Sequence, residues 1–69
     1  MYELRYFDGE NEKVLAKEIE NKGNIFNYMK YFIENNLNAK VGHYITTETP
    51  KYTRYRNGSF EFRLYKMKI

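Results

Sequence analysis

Polar and apolar positions alternate near both ends of the chain and recur at helical spacing in its middle. Residues 2–7 set Tyr2, Leu4 and Tyr6 against Glu3, Arg5 and Phe7, the period of two that marks a half-buried strand. Asp8-Gly9 comes next as a turn signal. Residues 12–20 fit two templates. Ala16 and the surrounding Lys and Glu favour helix by propensity, which would gather Val14, Leu15 and Ile19 loosely on one side. The adjacent Asp-Gly favours a hairpin, and 12–20 is therefore assigned to a second strand.

The helical period is clearest over residues 25–37. Ile25, Phe26, Met29, Phe32, Ile33 and Leu37 fall on a stripe about 140° wide, a core-facing pattern. Asn27, Lys30 and Glu34 lie opposite, and Tyr31 shares that polar side. Asn24 is placed as the N-cap, and the Asn-rich run after Glu34 ends the helix. Residues 40–50 are rich in β-branched side chains and stop at Pro50, forming either a strand or a long entry to the C-terminal hairpin.

That hairpin spans residues 51–66. An Asn57-Gly58 loop of type I′ would oppose Arg56 to Ser59, Tyr55 to Phe60, Arg54 to Glu61, Thr53 to Phe62 and Tyr52 to Arg63. Side chains alternate between faces. Thr53, Tyr55, Phe60, Phe62 and Leu64 then point to the helix, while Tyr52, Arg54, Arg56, Glu61 and Arg63 point away. In phase, Tyr65, Met67 and Ile69 extend the outward face, unless a bulge after Leu64 turns the strand over.

These elements predict one domain over residues 1–69. The class is α+β: a small two-layer domain with an antiparallel or mixed sheet of four to five strands and one helix across one face. The order is β-β-α-β-β, with 41–47 as the optional fifth strand and a β-grasp-like arrangement as one realisation. A helical 12–20 would give β-α-α-β-β-β and the same class. Phe26, Met29, Phe32, Ile33, Phe60 and Phe62 are the expected core.

Composition adds a constraint on stability. A chain of 69 residues buries only about 60% of its unfolded surface. With no Cys and a single His, neither disulfides nor a metal staple is expected. Eight Tyr and five Phe must supply the burial, and a homodimer through Tyr65, Met67 and Ile69 would add to it. The charged N-terminal stretch lacks the apolar core of a signal peptide, and no run approaches the ~20 apolar residues of a membrane span. A cytoplasmic location is expected, without membrane contact. Abundant Asn, Lys, Tyr and Ile with one Pro match the coding bias of AT-rich genomes, such as low-GC bacteria and their phages.

Charge is unevenly placed. Residues 1–39 carry five Lys/Arg against seven Asp/Glu, a net −2; residues 40–69 carry seven against two, a net +5. No arrangement of catalytic groups accompanies it. His43 has no spaced His, Cys or Asp to share a metal. Asp8 belongs to its turn. Glu10, Glu12, Glu18 and Glu20 match neither an acid/base pair nor a calcium loop, and Ser59 has no base. The glycines are isolated, so no phosphate-cradling loop forms. No catalytic residue, cofactor or metal is therefore assigned, and an enzyme is not expected.

The outward face of the last hairpin is the candidate site: Tyr52, Arg54, Arg56, Arg63 and Tyr65, with Lys51 and Lys66 at its rim. Tyr and Arg are residue types enriched at protein interfaces. The expected function is that of a small, non-catalytic, phage- or mobile-element-encoded protein. It would bind a host protein with an acidic surface and modulate or inhibit it. The alternative is single-stranded nucleic acid, with Tyr rings stacking on bases and Arg tracking phosphates.

Overall fold

The computed structural model describes residues 1–67. Strands β1 (Tyr2–Phe7) and β2 (Glu12–Ile19) are followed by helix α1 (Ile25–Asn35), and then by β3 (Tyr44–Glu48), β4 (Thr53–Asn57) and β5 (Phe60–Lys66). The expected α+β two-layer architecture is present. The sheet has five strands in the order β2-β1-β5-β4-β3. Every neighbouring pair is antiparallel, including the central β1–β5 pair, so the mixed, β-grasp-like variant does not occur.

The ambiguous segment resolves as strand, over Glu12–Ile19. Asp8 Oδ1 accepts from the backbone N–H groups of Glu10 and Asn11, both at 2.8 Å, and this closes the β1–β2 turn. The local hairpin chemistry outweighs the helix propensity of the Lys, Glu and Ala beyond it. β2 is regular over its first half, where Phe7 opposes Glu12, Tyr6 opposes Lys13 and Arg5 opposes Val14. Register shifts then break its second half, where Glu18 adopts φ 55°.

The connection from β2 to β3 joins opposite edges of the sheet. Within it α1, 11 residues and about 16 Å long, lies on one face with its first turn over β3 and β4 and Phe32 over β1 and β5. Ile25, Met29, Phe32 and Ile33 of its stripe are buried against Leu4, Tyr55, Phe62 and Leu64. Phe32 meets Phe62 edge-on at 6.1 Å and Tyr6 at 4.8 Å. Tyr31, on the polar side, is 67% exposed.

Two helix expectations are corrected. Phe26 is 42% exposed, because the first helical turn lies over the β3–β4 side, where the ring makes edge contacts with Tyr44 and Tyr55. Asn24 has helical backbone angles and makes no side-chain cap. A short 3-10 turn, Lys22–Asn24, precedes the helix, and Asn21 caps it by accepting from the Gly23 N–H at 2.8 Å. At the other end Asn38 takes φ 51°, the left-handed conformation that ends helices and that Asn tolerates. Around this turn and along the return segment, Leu37, Ala39 and Val41 pack on the core.

The last hairpin keeps its faces but not its register. Asn57 pairs with Phe60, Arg56 with Glu61, Tyr55 with Phe62, Arg54 with Arg63 and Thr53 with Leu64. The loop is therefore Gly58-Ser59, not Asn57-Gly58. Gly58 has φ 61° and Ser59 does not share it, which fits a type II′ turn with glycine at its first central position. Asn57 stays in the strand because its side chain is used inward. It is 2% exposed, with Oδ1 accepting from the Gly42 N–H at 2.8 Å and Nδ2 donating to the Gly42 carbonyl at 2.9 Å. A shift of two preserves alternation, so Phe62 lies against the helix and Phe60 is partly buried beside it.

No register shift interrupts the pairing of β5 with β1, so no bulge comes after Leu64 and Tyr65 continues the outward face. Met67 is half-buried and donates its N–H to the Met1 carbonyl at 2.8 Å. Ile69 lies outside the described residues. No described helix is long and apolar enough to cross a membrane.

Candidate functional site

The strand registers place the outward-facing side chains on a grid. One row reads Glu12, Phe7, Glu61, Arg56 and Ile45 from β2 to β3. The next reads Val14, Arg5, Arg63, Arg54 and Thr47. A third pairs Glu3 with Tyr65, and Tyr52, just before β4, reaches the Tyr65 ring at 5.3 Å. Three arginines thus stand side by side on adjacent strands, an arrangement that is unfavourable unless carboxylates intervene.

Glu12 does so. Its Oε1 accepts from Arg5 Nη1 at 2.8 Å, and its Oε2 accepts from Arg63 Nη1 at 2.7 Å and from the Tyr65 hydroxyl at 2.5 Å. Glu3 holds Arg5 through Nε at 2.6 Å, and Glu61 holds Arg63 through Nε at 2.8 Å. Aromatic rings pack on both guanidiniums as well. Arg63 lies 3.9 Å from the Phe7 ring centre and 4.7 Å from that of Tyr52, and Arg5 lies 4.3 Å from that of Tyr65. Such cation–π contacts gain strength when partly desolvated.

These contacts set the protonation states. Burial pushes the Glu12 carboxyl up, but the hydrogen bonds from Tyr65, Arg5 and Arg63 outweigh it and bring the pKa down to about 2. The Arg63 guanidinium is raised, its ion pairs with Glu12 and Glu61 overcoming desolvation. Hydrogen bonds to Glu12 and then Glu3 raise Arg5. Burial, reinforced by Glu12, raises the Tyr65 phenol. Near neutral pH the Glu12 carboxylate is therefore paired with two charged guanidiniums and a neutral phenol.

The five residues singled out in the sequence all lie on this face but divide into two groups. Arg63, Tyr65 and Tyr52 belong to the interlocked stack. Arg54 and Arg56 enter no ion pair among the described residues. Arg54 does not oppose Glu61; it stands between Arg63 and Thr47, and its Nε is buried without a hydrogen-bond partner. Arg56 is the residue opposite Glu61, and its other neighbour, Ile45, is 67% exposed. Lys51 and Lys66 are exposed at the rim of a small depression beside Tyr52.

Glu12, Arg5, Glu3 and Phe7 complete the face but were not sequence candidates. Their only sequence signal is the outward phase of β1, which becomes informative once β1 and β5 are known to be neighbours. His43 is exposed and precedes β3 rather than lying within it. Among the described residues no group of three or more His, Cys, Asp or Glu gathers as a metal site. Comparison of the chain with family models, with curated proteins and with solved structures finds no match.

Proposed function

We propose that this protein is a non-catalytic binding domain whose outer sheet face engages an acidic surface on another protein. Blocking or redirecting that partner is its activity, and a host protein met by a phage- or mobile-element-encoded domain is the setting its composition suggests. One observation carries the choice of protein over nucleic acid: Phe7, Tyr52 and Tyr65 each already stack one ring face on a guanidinium. Base stacking requires those ring faces. Glu3, Glu12 and Glu61 interleave with the arginines, so the partner must set its carboxylates between groups of opposite sign, which a protein surface can do and a uniformly anionic phosphate chain cannot. Arg54 and Arg56, which enter no ion pair among the described residues, supply the free valence for carboxylates, with exposed Ile45 beside Arg56. The locked stack beside them reduces the ordering cost of binding.

The test is affinity capture from a lysate of a low-GC bacterium, with and without nuclease, using the parent protein and the Arg54→Glu/Arg56→Glu variant. Arg63 is left intact, since its replacement would break the Glu12 pairing. The expected result is a protein retained by the parent, indifferent to nuclease and lost with the double variant. Capture that depends on intact nucleic acid would favour the alternative. Equal retention by both proteins would remove the outer face from the function.

A further inference from the structure

We infer that the groove between α1 and the edge strand β2 accepts an extended peptide segment of a partner protein as a sixth strand. The segment would carry a large apolar residue and an acidic residue two positions apart. This site lies away from the outer face and stands independently of the function proposed for it.

The inference starts from coverage. A helix is about 10–12 Å across, too narrow for a sheet of five strands. The return segment through Leu37, Ala39 and Val41 supplements it, linked to β4 through Gly42 and Asn57. On the opposite side the second half of β2 reaches the core through Ile19, while Lys13 and Val14 of its first half are exposed. The result is a groove of about 610 Å³ lined by Lys13, Val14 and Leu15 of β2 and Tyr28, Tyr31 and Phe32 of α1, within the ~300–1,000 Å³ of ligand-binding clefts. Tyr28 and Tyr31, two of the chain's exposed large hydrophobics, line it from the helix, while Val14, whose side chain belongs to the outward row, borders it at the strand edge.

The edge strand is the second observation. β2 pairs with β1 on one side and with nothing on the other. Bulged pairing and twisting protect sheet edges from added strands. In β2 these irregularities fall on the half beyond Val14, while Glu12–Val14 pair regularly. The regular half is the one that flanks the groove. An added strand there would gain backbone hydrogen bonds from the edge and place every second side chain in the groove, the pattern of strand-addition recognition.

Charge selects the occupant. Among the described residues Lys13 is the only charged one of the lining, and no carboxylate accompanies it there. Its ammonium stands 5.7 Å from the Phe32 ring centre, on the helix side of the sheet. Covering that ammonium without a counter-charge would be costly, so the side chain that lands beside it is acidic. Its same-face neighbour two positions away meets Tyr28 and Tyr31 and is apolar.

The probe is the acetylated, amidated peptide Ser-Thr-Phe-Thr-Glu-Thr-Ser, titrated into isotope-labelled full-length protein and followed by amide chemical shifts. Shifts concentrated on the Glu12–Leu15 amides and on the Tyr28 and Tyr31 rings are expected. The Lys-for-Glu peptide should bind roughly tenfold more weakly, and Lys13→Glu should reverse that preference. Tyr31→Ala, at an exposed position, should weaken binding while the spectrum stays folded. Absence of β2 shifts at millimolar peptide, shifts confined to the Arg54–Arg56 region, or equal binding of the two peptides would overturn the inference. So would β2 shifts that appear on raising protein concentration without peptide, since the edge would then belong to a second copy of this chain.

Discussion

Glu12 links three residues that stand far from it in the chain: Arg5, Arg63 and Tyr65. Its carboxyl titrates at about 2 instead of 4.5. A folded pKa below the unfolded one contributes stability that is present above the unfolded value and lost as pH falls through the folded one. The loss should therefore run from about pH 5 to about pH 2, with a magnitude on the order of 2 kcal/mol once partial exposure is discounted. In urea melts, Glu12→Gln should be less stable than the parent at pH 7 and should lack this share of the acid-limb loss. An unchanged acid limb would show that the carboxylate network contributes nothing. Asn57 is a second residue-scale case. Asn57→Ala should cost about 1–2 kcal/mol for its two hydrogen bonds to Gly42. Asn57→Asp should cost more at neutral pH, because it buries a charge against the Gly42 carbonyl, and should recover on acidification. Equal costs at neutral pH would mean that the side chain only fills space. Neither role is written near the residue concerned. In the sequence Glu12 is one of several scattered acids and Asn57 is half of a turn signal, and their partners arrive only with the tertiary fold.

At the scale of elements, faces are more legible than registers. The β4–β5 alternation survives a shift of two, so Tyr55, Phe62 and Leu64 lie inward although every cross-strand partner differs from the one that an Asn-Gly loop implies. Register depends on which two residues turn, and the inward hydrogen bonds of Asn57 decide that against its local preference. The same distinction applies to α1. Periodicity places Ile25, Met29, Phe32 and Ile33 correctly, but the exposure of Phe26 depends on where the helix crosses the sheet. Two substitutions test the orientation. Ile33→Ala should cost about 2–5 kcal/mol by loss of buried methylenes, and Tyr31→Ala should stay within about 0.5 kcal/mol. Comparable losses for the two in chemical denaturation would contradict the helix orientation.

At the scale of the whole molecule, one helix and one sheet share a single core. For 69 residues the total stability expected is about 3–10 kcal/mol. Phe62 sits at the centre of that core, fully buried between Tyr6 and Phe32, and its replacement by Ala should remove about 3–5 kcal/mol. That is a large share of the total, and the Phe62→Ala protein should lose its near-ultraviolet signal and amide dispersion at room temperature. A well-dispersed spectrum would indicate a more robust core than this packing implies. The two-layer class was legible because each element carries its own pattern. The sheet order was not, because the β1–β5 pairing that brings the outer face together joins segments more than fifty residues apart, as in Tyr2 with Lys66.

The same central pair sets how the domain responds to mechanical load. Tyr2 lies opposite Lys66, and the register runs without a slip to Phe7 opposite Glu61, so tension applied at residues 2 and 66 pulls from one end of the pair. The ladder is then peeled bond by bond, like a zipper, and the sheet parts through its middle. Tension applied at residue 2 and at Gly58, beyond the far end of β5, would instead strain the β1–β5 bonds together in shear. Single-molecule stretching should therefore find a lower rupture force with the first pair of handles than with the second.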